Sequence, residues 1–139
     1  MSREIKNIVV HCTGGDQHAT PEDIQHYWRT RNKWKNDGYH LIIDMFGKLT
    51  TMQPLHLPSN GVRGHNQNSI NISWIGGKYE DNRTKMQKSA LANALRVLRA
   101  MYPEAEIKGH RDFKGVKKSC PRFDVKEFVE DMDVNGSNF

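Results

Sequence analysis

Cysteine is scarce in this sequence: Cys12 and Cys120 are the only two among 139 residues. That is too few for a disulfide scaffold, so a compact fold has to rest on a hydrophobic core, although one bridge between the pair stays open at this point. Long apolar runs are missing as well. No stretch approaches the roughly 20 residues needed to cross a bilayer, and the start, Met1-Ser2-Arg3-Glu4-Ile5-Lys6, lacks the apolar segment of a signal peptide. Neither a transmembrane span nor an export signal is expected. There is no internal repeat, low-complexity tract or linker. The formal charge is +5, yet the basic residues form no uninterrupted run. They read as a solvated surface that favours polyanions in general and makes nucleic acid an unlikely partner. The compact metal motif His-Glu-x-x-His is also absent.

What is present suits one globular domain. Hydrophobic residues make up 36% and charged residues 27%, with three Trp, five Phe and four Tyr to anchor a core, which excludes wholesale disorder. The length leaves no room for a second folded domain. The domain is expected over residues 1–134, with a frayed tail at 135–139, as a monomer.

Ile8-Val9-Val10 reads as a buried strand because its hydrophobicity does not alternate; His11 stands at its end. Thr20-Pro21-Glu22-Asp23 combines an N-cap residue, Pro at the first helical position and acids in the first turn, so a helix is expected from about 21 to 34, with Ile24, Tyr27, Trp28 and Arg31 on one face. After the turn signal Asn36-Asp37-Gly38, a strand over 39–44 and a hairpin partner over 49–52 follow. The Pro-, Gly- and Asn-rich stretch 53–68 reads as an irregular loop. The alternation in Ser69-Ile70-Asn71-Ile72-Ser73-Trp74-Ile75 marks a strand with one face buried. Thr84 and Gln87 form a capping box ahead of Leu91, Ala94, Leu95, Leu98 and Met101 at helical spacing. A short strand over 105–108 leads to Gly109-His110-Arg111-Asp112, and Asp124 with Glu127 caps a last helix carrying Val125, Phe128, Val129 and Met132. The pattern is that of an α/β protein, a mixed central sheet flanked by about three helices.

Zinc takes imidazole nitrogen and thiolate sulfur, and a catalytic zinc uses three protein ligands with a fourth position left open. His11, His110 and Cys120 each stand where a strand or its following loop leaves the sheet, which is where open sheets place ligands. In an extended segment side chains two apart point the same way, so Lys118 would face whatever Cys120 holds, either stabilising an oxyanion or lowering the pKa of the thiol. Plainer readings stand beside these. A strand-end histidine often bonds backbone, and most lysines are solvated. Cys12 suits a small buried hydrophobe, and His40, facing away from Tyr39, a structural role. His65 and its neighbour Asn66 either line a groove and bond substrate or are plain loop residues. Trp28, Trp34 and Trp74 read as core, and His18, His26 and His56 as surface.

Several stretches occur together and in a fixed order: Ile8-Val9-Val10-His11-Cys12-Thr13, Gly38-Tyr39-His40-Leu41-Ile42-Ile43, Gly64-His65-Asn66-Gln67-Asn68-Ser69-Ile70, Ile75-Gly76-Gly77, Gly109-His110-Arg111-Asp112 and Lys118-Ser119-Cys120-Pro121-Arg122-Phe123-Asp124. Jointly they resemble the zinc amidase family that contains phage-type N-acetylmuramoyl-L-alanine amidases and peptidoglycan recognition proteins. The resemblance implies a mixed sheet with helices on its faces, bacterial peptidoglycan as substrate, and hydrolysis of the amide between N-acetylmuramic acid and L-alanine. It further implies one Zn2+ per chain held by His11, His110 and Cys120, with Tyr39 and Lys118 as the catalytic pair. Synthesis in the cytoplasm with action at the cell wall follows, by phage-type release or after loss of a leader. The rival is a non-catalytic peptidoglycan-binding module, against which Cys120 argues. One departure stands out: Asn71 occupies the place where the family usually has Gly within Ser-Ile-Gly-Ile, and its side chain would narrow the groove floor or point outward.

Overall fold

β-Branched and aliphatic residues dictate the centre of the molecule. In the computed structural model, which describes residues 3–136, they build a five-stranded sheet from β1 (Asn7–Cys12), β2 (Leu41–Ile43), β3 (Leu49–Thr51), β4 (Ser69–Trp74) and β5 (Glu106–Gly109). The spatial order is β3-β2-β4-β1-β5. β1 lies between β4 and β5 and runs parallel to both, while β2 runs parallel to β4 and antiparallel to β3. The mixed sheet and the hairpin agree with the sequence reading.

Three helices complete the fold: α1 (Pro21–Thr30), α2 (Lys85–Met101) and α3 (Val125–Asn135). Among the described residues no helix is long and apolar enough to cross a membrane. Alternation sorts the sheet's residues between two faces. Ile8, Val10 and Cys12 of β1, Ile70, Ile72 and Trp74 of β4, and Leu41 and Ile43 of β2 join one core with Leu91, Leu95 and Leu98 of α2 and Val125, Phe128 and Met132 of α3. The opposite face carries Val9, packed with Val62 and Phe113, and Ile42, packed with Trp28 and Ile75. It is roofed by α1 and by irregular chain.

That roof corrects one expectation. Alternation predicts β4 with one face exposed, yet Ser69, Asn71 and Ser73 are as buried as the isoleucines between them. The loop before β4 folds over its polar face, and the polar side chains there bond one another. A second correction concerns α1, which stops at Thr30 rather than near Trp34. Lys33 takes a left-handed conformation with φ 56°, incompatible with a continuing α-helix, and the Trp34 N–H returns to the Trp28 carbonyl at 2.9 Å. Of the face predicted for α1, Trp28 is buried whereas Tyr27 is exposed. The capping box of α2 and the Asp124 cap of α3 are both formed. The helix α3 extends through Asn135 into the expected tail, and residues 137–139 of that tail lie outside the described residues.

Candidate active site

β1 delivers His11 to the roofed face, where the ring is 1% exposed. β5 ends at Gly109, whose N–H bonds the Asp112 carboxylate at 2.8 Å; this closes the 3-10 turn His110–Asp112 and presents the His110 ring. The two imidazole centroids are 4.9 Å apart. Cys120 arrives on the segment leading to α3. Its position is fixed by the Arg111 N–H on its carbonyl (2.9 Å) and by the Trp74 indole N–H on the Pro121 carbonyl (3.1 Å). The ligand atoms of His11, His110 and Cys120 lie within 4.8 Å of one another. Two imidazoles and a thiol so placed could hold a metal.

Burial pushes the His11 pKa down to about 3, helped by the nearby charges of His110 and Lys118. Burial and Lys118 lower that of His110 as well. Both rings are therefore neutral near pH 7, the protonation state that ligation needs. The Cys120 thiol is pushed up by its contact with Cys12 and by burial, while the Cys12 backbone N–H donates to its sulfur at 3.1 Å. The two cysteines touch without a disulfide, and Cys12 is buried.

Tyr39, just ahead of β2, packs between the His11 ring (4.9 Å) and the Trp28 ring (5.5 Å), and its hydroxyl donates to the Cys12 carbonyl at 3.3 Å. Burial and the neighbouring Cys120 raise its pKa above the ordinary phenol value, so Tyr39 is a hydroxyl donor throughout the working range. Lys118 is exposed, and its charge reaches both imidazoles. His11, Tyr39, His110, Lys118 and Cys120 all line one groove of about 880 Å3. A glycine shapes its rim: Gly77 adopts φ +78°, and a Cβ there would meet the Cys12 sulfur at 2.9 Å.

His65 and Asn66 are not among the groove's lining residues. The His65 ring is exposed and sits against Phe113 at 4.5 Å, and the Asn66 carboxamide accepts the Gly61 and Val62 N–H groups, both at 2.9 Å. Asn66 thus shapes the loop whose Gly61 lines the groove. Trp28 and Trp34 reach the groove wall, while Trp74 is wholly core. His40 is fully buried and bonded to loop and strand, and His18, His26 and His56 are exposed. Asn71 neither narrows the groove nor points outward: it is fully buried, and its Oδ1 lies 2.8 Å from Nε2 of His11. The alternation along β4 placed Asn71 with Ser69 and Ser73 but could not show that His11 stands above it.

A family model described as N-acetylmuramoyl-L-alanine amidase matches residues 1–123. The chain belongs to the N-acetylmuramoyl-L-alanine amidase family. This amidase is 31% identical to the endolysin of Enterobacteria phage K11 over 135 residues, 92% of this chain and 87% of that protein. Among solved structures it resembles the endolysine N-acetylmuramoyl-L-alanine amidase LysCS from Clostridium intestinale URNW, with TM-score 0.82, 26% identity, and coverage of 94% of this chain and 85% of that one. Drosophila PGRP-LB shares the fold at TM-score 0.75 and 17% identity, covering 100% of this chain and 85% of that one.

Proposed function

We propose that this amidase is a zinc hydrolase of bacterial peptidoglycan, cutting the amide between N-acetylmuramic acid and L-alanine in the manner of an endolysin acting at the cell wall. The observation that carries the reading is the convergence of His11, His110 and Cys120 on the floor of a groove that also presents Tyr39 and Lys118. The donor set fits zinc, with two neutral imidazoles and one sulfur leaving a fourth position free. When bound, zinc supplies Lewis acidity, polarising a carbonyl and acidifying water.

The remaining work falls to the protein's own groups. The groove receives the glycan–peptide junction, with Trp28 and Trp34 offering aromatic surface along its wall. Held as a phenol by burial, Tyr39 turns its one O–H from the Cys12 carbonyl, 3.3 Å away, to donate to the oxygen that gains charge as the carbonyl becomes tetrahedral. The Lys118 ammonium offsets the same developing charge. His65 and Asn66 support the loop flanking the groove, Asn66 through its grip on Gly61.

The test is metal analysis paired with mass spectrometry of digested peptidoglycan. About one zinc per chain is expected, together with stem peptides released with a free L-alanine amine. Muropeptides bound and returned uncut by the zinc-loaded protein would instead make it a binding module.

A further inference from the structure

Beneath His11 lies a run of buried polar groups that the chemistry above does not use. Asn71, His40 and Ser59 are at most 1% exposed, so each hydrogen bond among them has to be satisfied within the protein. The polarity of the run can be read from one end. His40 Nε2 lies 2.7 Å from the Leu57 carbonyl, which can only accept, so the proton of His40 is on Nε2. Its Nδ1 is therefore an acceptor, and it takes the backbone N–H of Asn71 at 2.9 Å. Ser59 Oγ stands 3.2 Å from the same Nδ1, so between these two the hydroxyl donates, sharing the ring's one lone pair with the shorter bond from the Asn71 N–H. Having given its proton to His40, Ser59 accepts from the Asn71 amide Nδ2 at 2.9 Å. This turns Asn71 Oδ1 toward His11, whose Nε2 at 2.8 Å must then carry the hydrogen.

We propose that Asn71 is a positioning residue that fixes His11 as the Nε2–H tautomer and aims its Nδ1 lone pair at the metal, its own orientation being set by the Ser59–His40–Leu57 chain. The inference rests on the zinc reading given above, since a ligating imidazole has to leave one nitrogen unprotonated while the other donates to a fixed acceptor. The reverse orientation of the Asn71 amide would break the Ser59–His40 bond and put the His11 proton on Nδ1, the nitrogen a metal would need. The site is also built around this side chain. A Cβ on Gly61 would fall 2.2 to 2.5 Å from the Asn71 carboxamide atoms, so the groove loop runs as glycine where Asn71 fills the space beneath it. The Ser-Ile-Gly-Ile pattern that the resemblance implies has no side chain at this place to play the part.

Two measurements test the assignment. Long-range 15N–1H correlation spectra of the 15N-histidine-labelled protein report which nitrogen of His11 is protonated, with zinc and without. Zinc affinity, measured by competition with a chromophoric chelator, is compared for the wild type, Asn71→Gly and Asn71→Asp. The expected result is an Nε2–H His11 in both states, a zinc affinity about 10- to 100-fold weaker in Asn71→Gly, and recovery in Asn71→Asp, which keeps an acceptor at that place. A His11 protonated on Nδ1, or an Asn71→Gly protein binding zinc within about twofold of the wild type, overturns the proposal. Should Asn71→Gly fail to fold, the wild-type spectrum decides alone. Should the wild type bind no zinc, the hydrolase reading falls, and the tautomer of the metal-free protein still decides the role of Asn71.

Discussion

Lys118 is an exposed ammonium whose charge reaches the buried imidazole of His11 and the half-buried one of His110, and it is not itself one of the three residues that could hold the metal. Lys118→Ala should therefore leave zinc content intact while kcat falls about 100- to 1000-fold with KM little changed, as for loss of one oxyanion contact. Steady-state kinetics beside metal analysis checks this; loss of zinc would instead mean that the lysine's work is to hold Cys120 as thiolate. The two cysteines should separate just as cleanly. Cys120→Ser removes a proposed ligand and is expected to abolish turnover and zinc binding, whereas Cys12→Ser buries a hydroxyl beside the core and should mainly lower the thermal midpoint. Gly61 and Asn71 form a third informative pair, because they compete for the same space. Gly61→Ala alone should destabilise the protein, and the same change in an Asn71→Gly background should cost less, with a coupling of about 0.5–3 kcal/mol measurable by a double-mutant cycle in denaturant.

Among the elements, α2 is anchored by more than its apolar face. Gln87 closes the capping box with Thr84, and its amide also donates to the Ile75 carbonyl at 2.9 Å, tying the helix start to the chain just past β4. Gln87→Leu would take the side-chain partner from the Ile75 carbonyl and from the Thr84 N–H, so a loss of about 1–3 kcal/mol is expected in urea unfolding. β2 and β4 are joined through His40, whose pKa burial lowers to about 4 from 6.5, the nearby Arg3 charge acting in the same direction. Between those values the unfolded chain binds more protons than the folded one, so stability rises with pH. The contribution is complete above about 6.5 and is lost as pH falls toward 4, at up to about 1.4 kcal/mol per unit for one such group. A His40→Gln protein should show a shallower decline over that window. The elements themselves were legible from caps, turn residues and apolar spacing, because these are local signals. What escaped was tertiary: Lys33 turning left-handed to end α1, and a loop folding over Ser69, Asn71 and Ser73, whose polarity in sequence is indistinguishable from that of a solvated face.

At the scale of the whole molecule, His11 and His110 lie almost a hundred residues apart in sequence, and only the parallel pairing of β1 with β5 makes them neighbours. Spacing could nominate candidate ligands without placing them, and the family-like stretches at His11, His110 and Cys120 pointed to the group that the fold brings together. The groove partners Tyr39 and Lys118 were legible on the same basis, whereas the part of Asn71 was not, since its meaning depends on the ring above it. The sheet itself divides the molecule by residue parity. Along β1 the even positions Ile8 and Val10 enter the helix-side core, the odd positions Val9 and His11 face the groove side, and Cys12 at the strand's end meets both; β4 repeats the division with Ile70, Ile72 and Trp74 against Ser69, Asn71 and Ser73. A saturation scan read out separately for abundance and for wall lysis should therefore show two signals of period two that run out of phase along both strands. Evolution or a designer could then harden the fold at one parity while retuning the chemistry at the other, with a single layer of backbone insulating the two searches from each other.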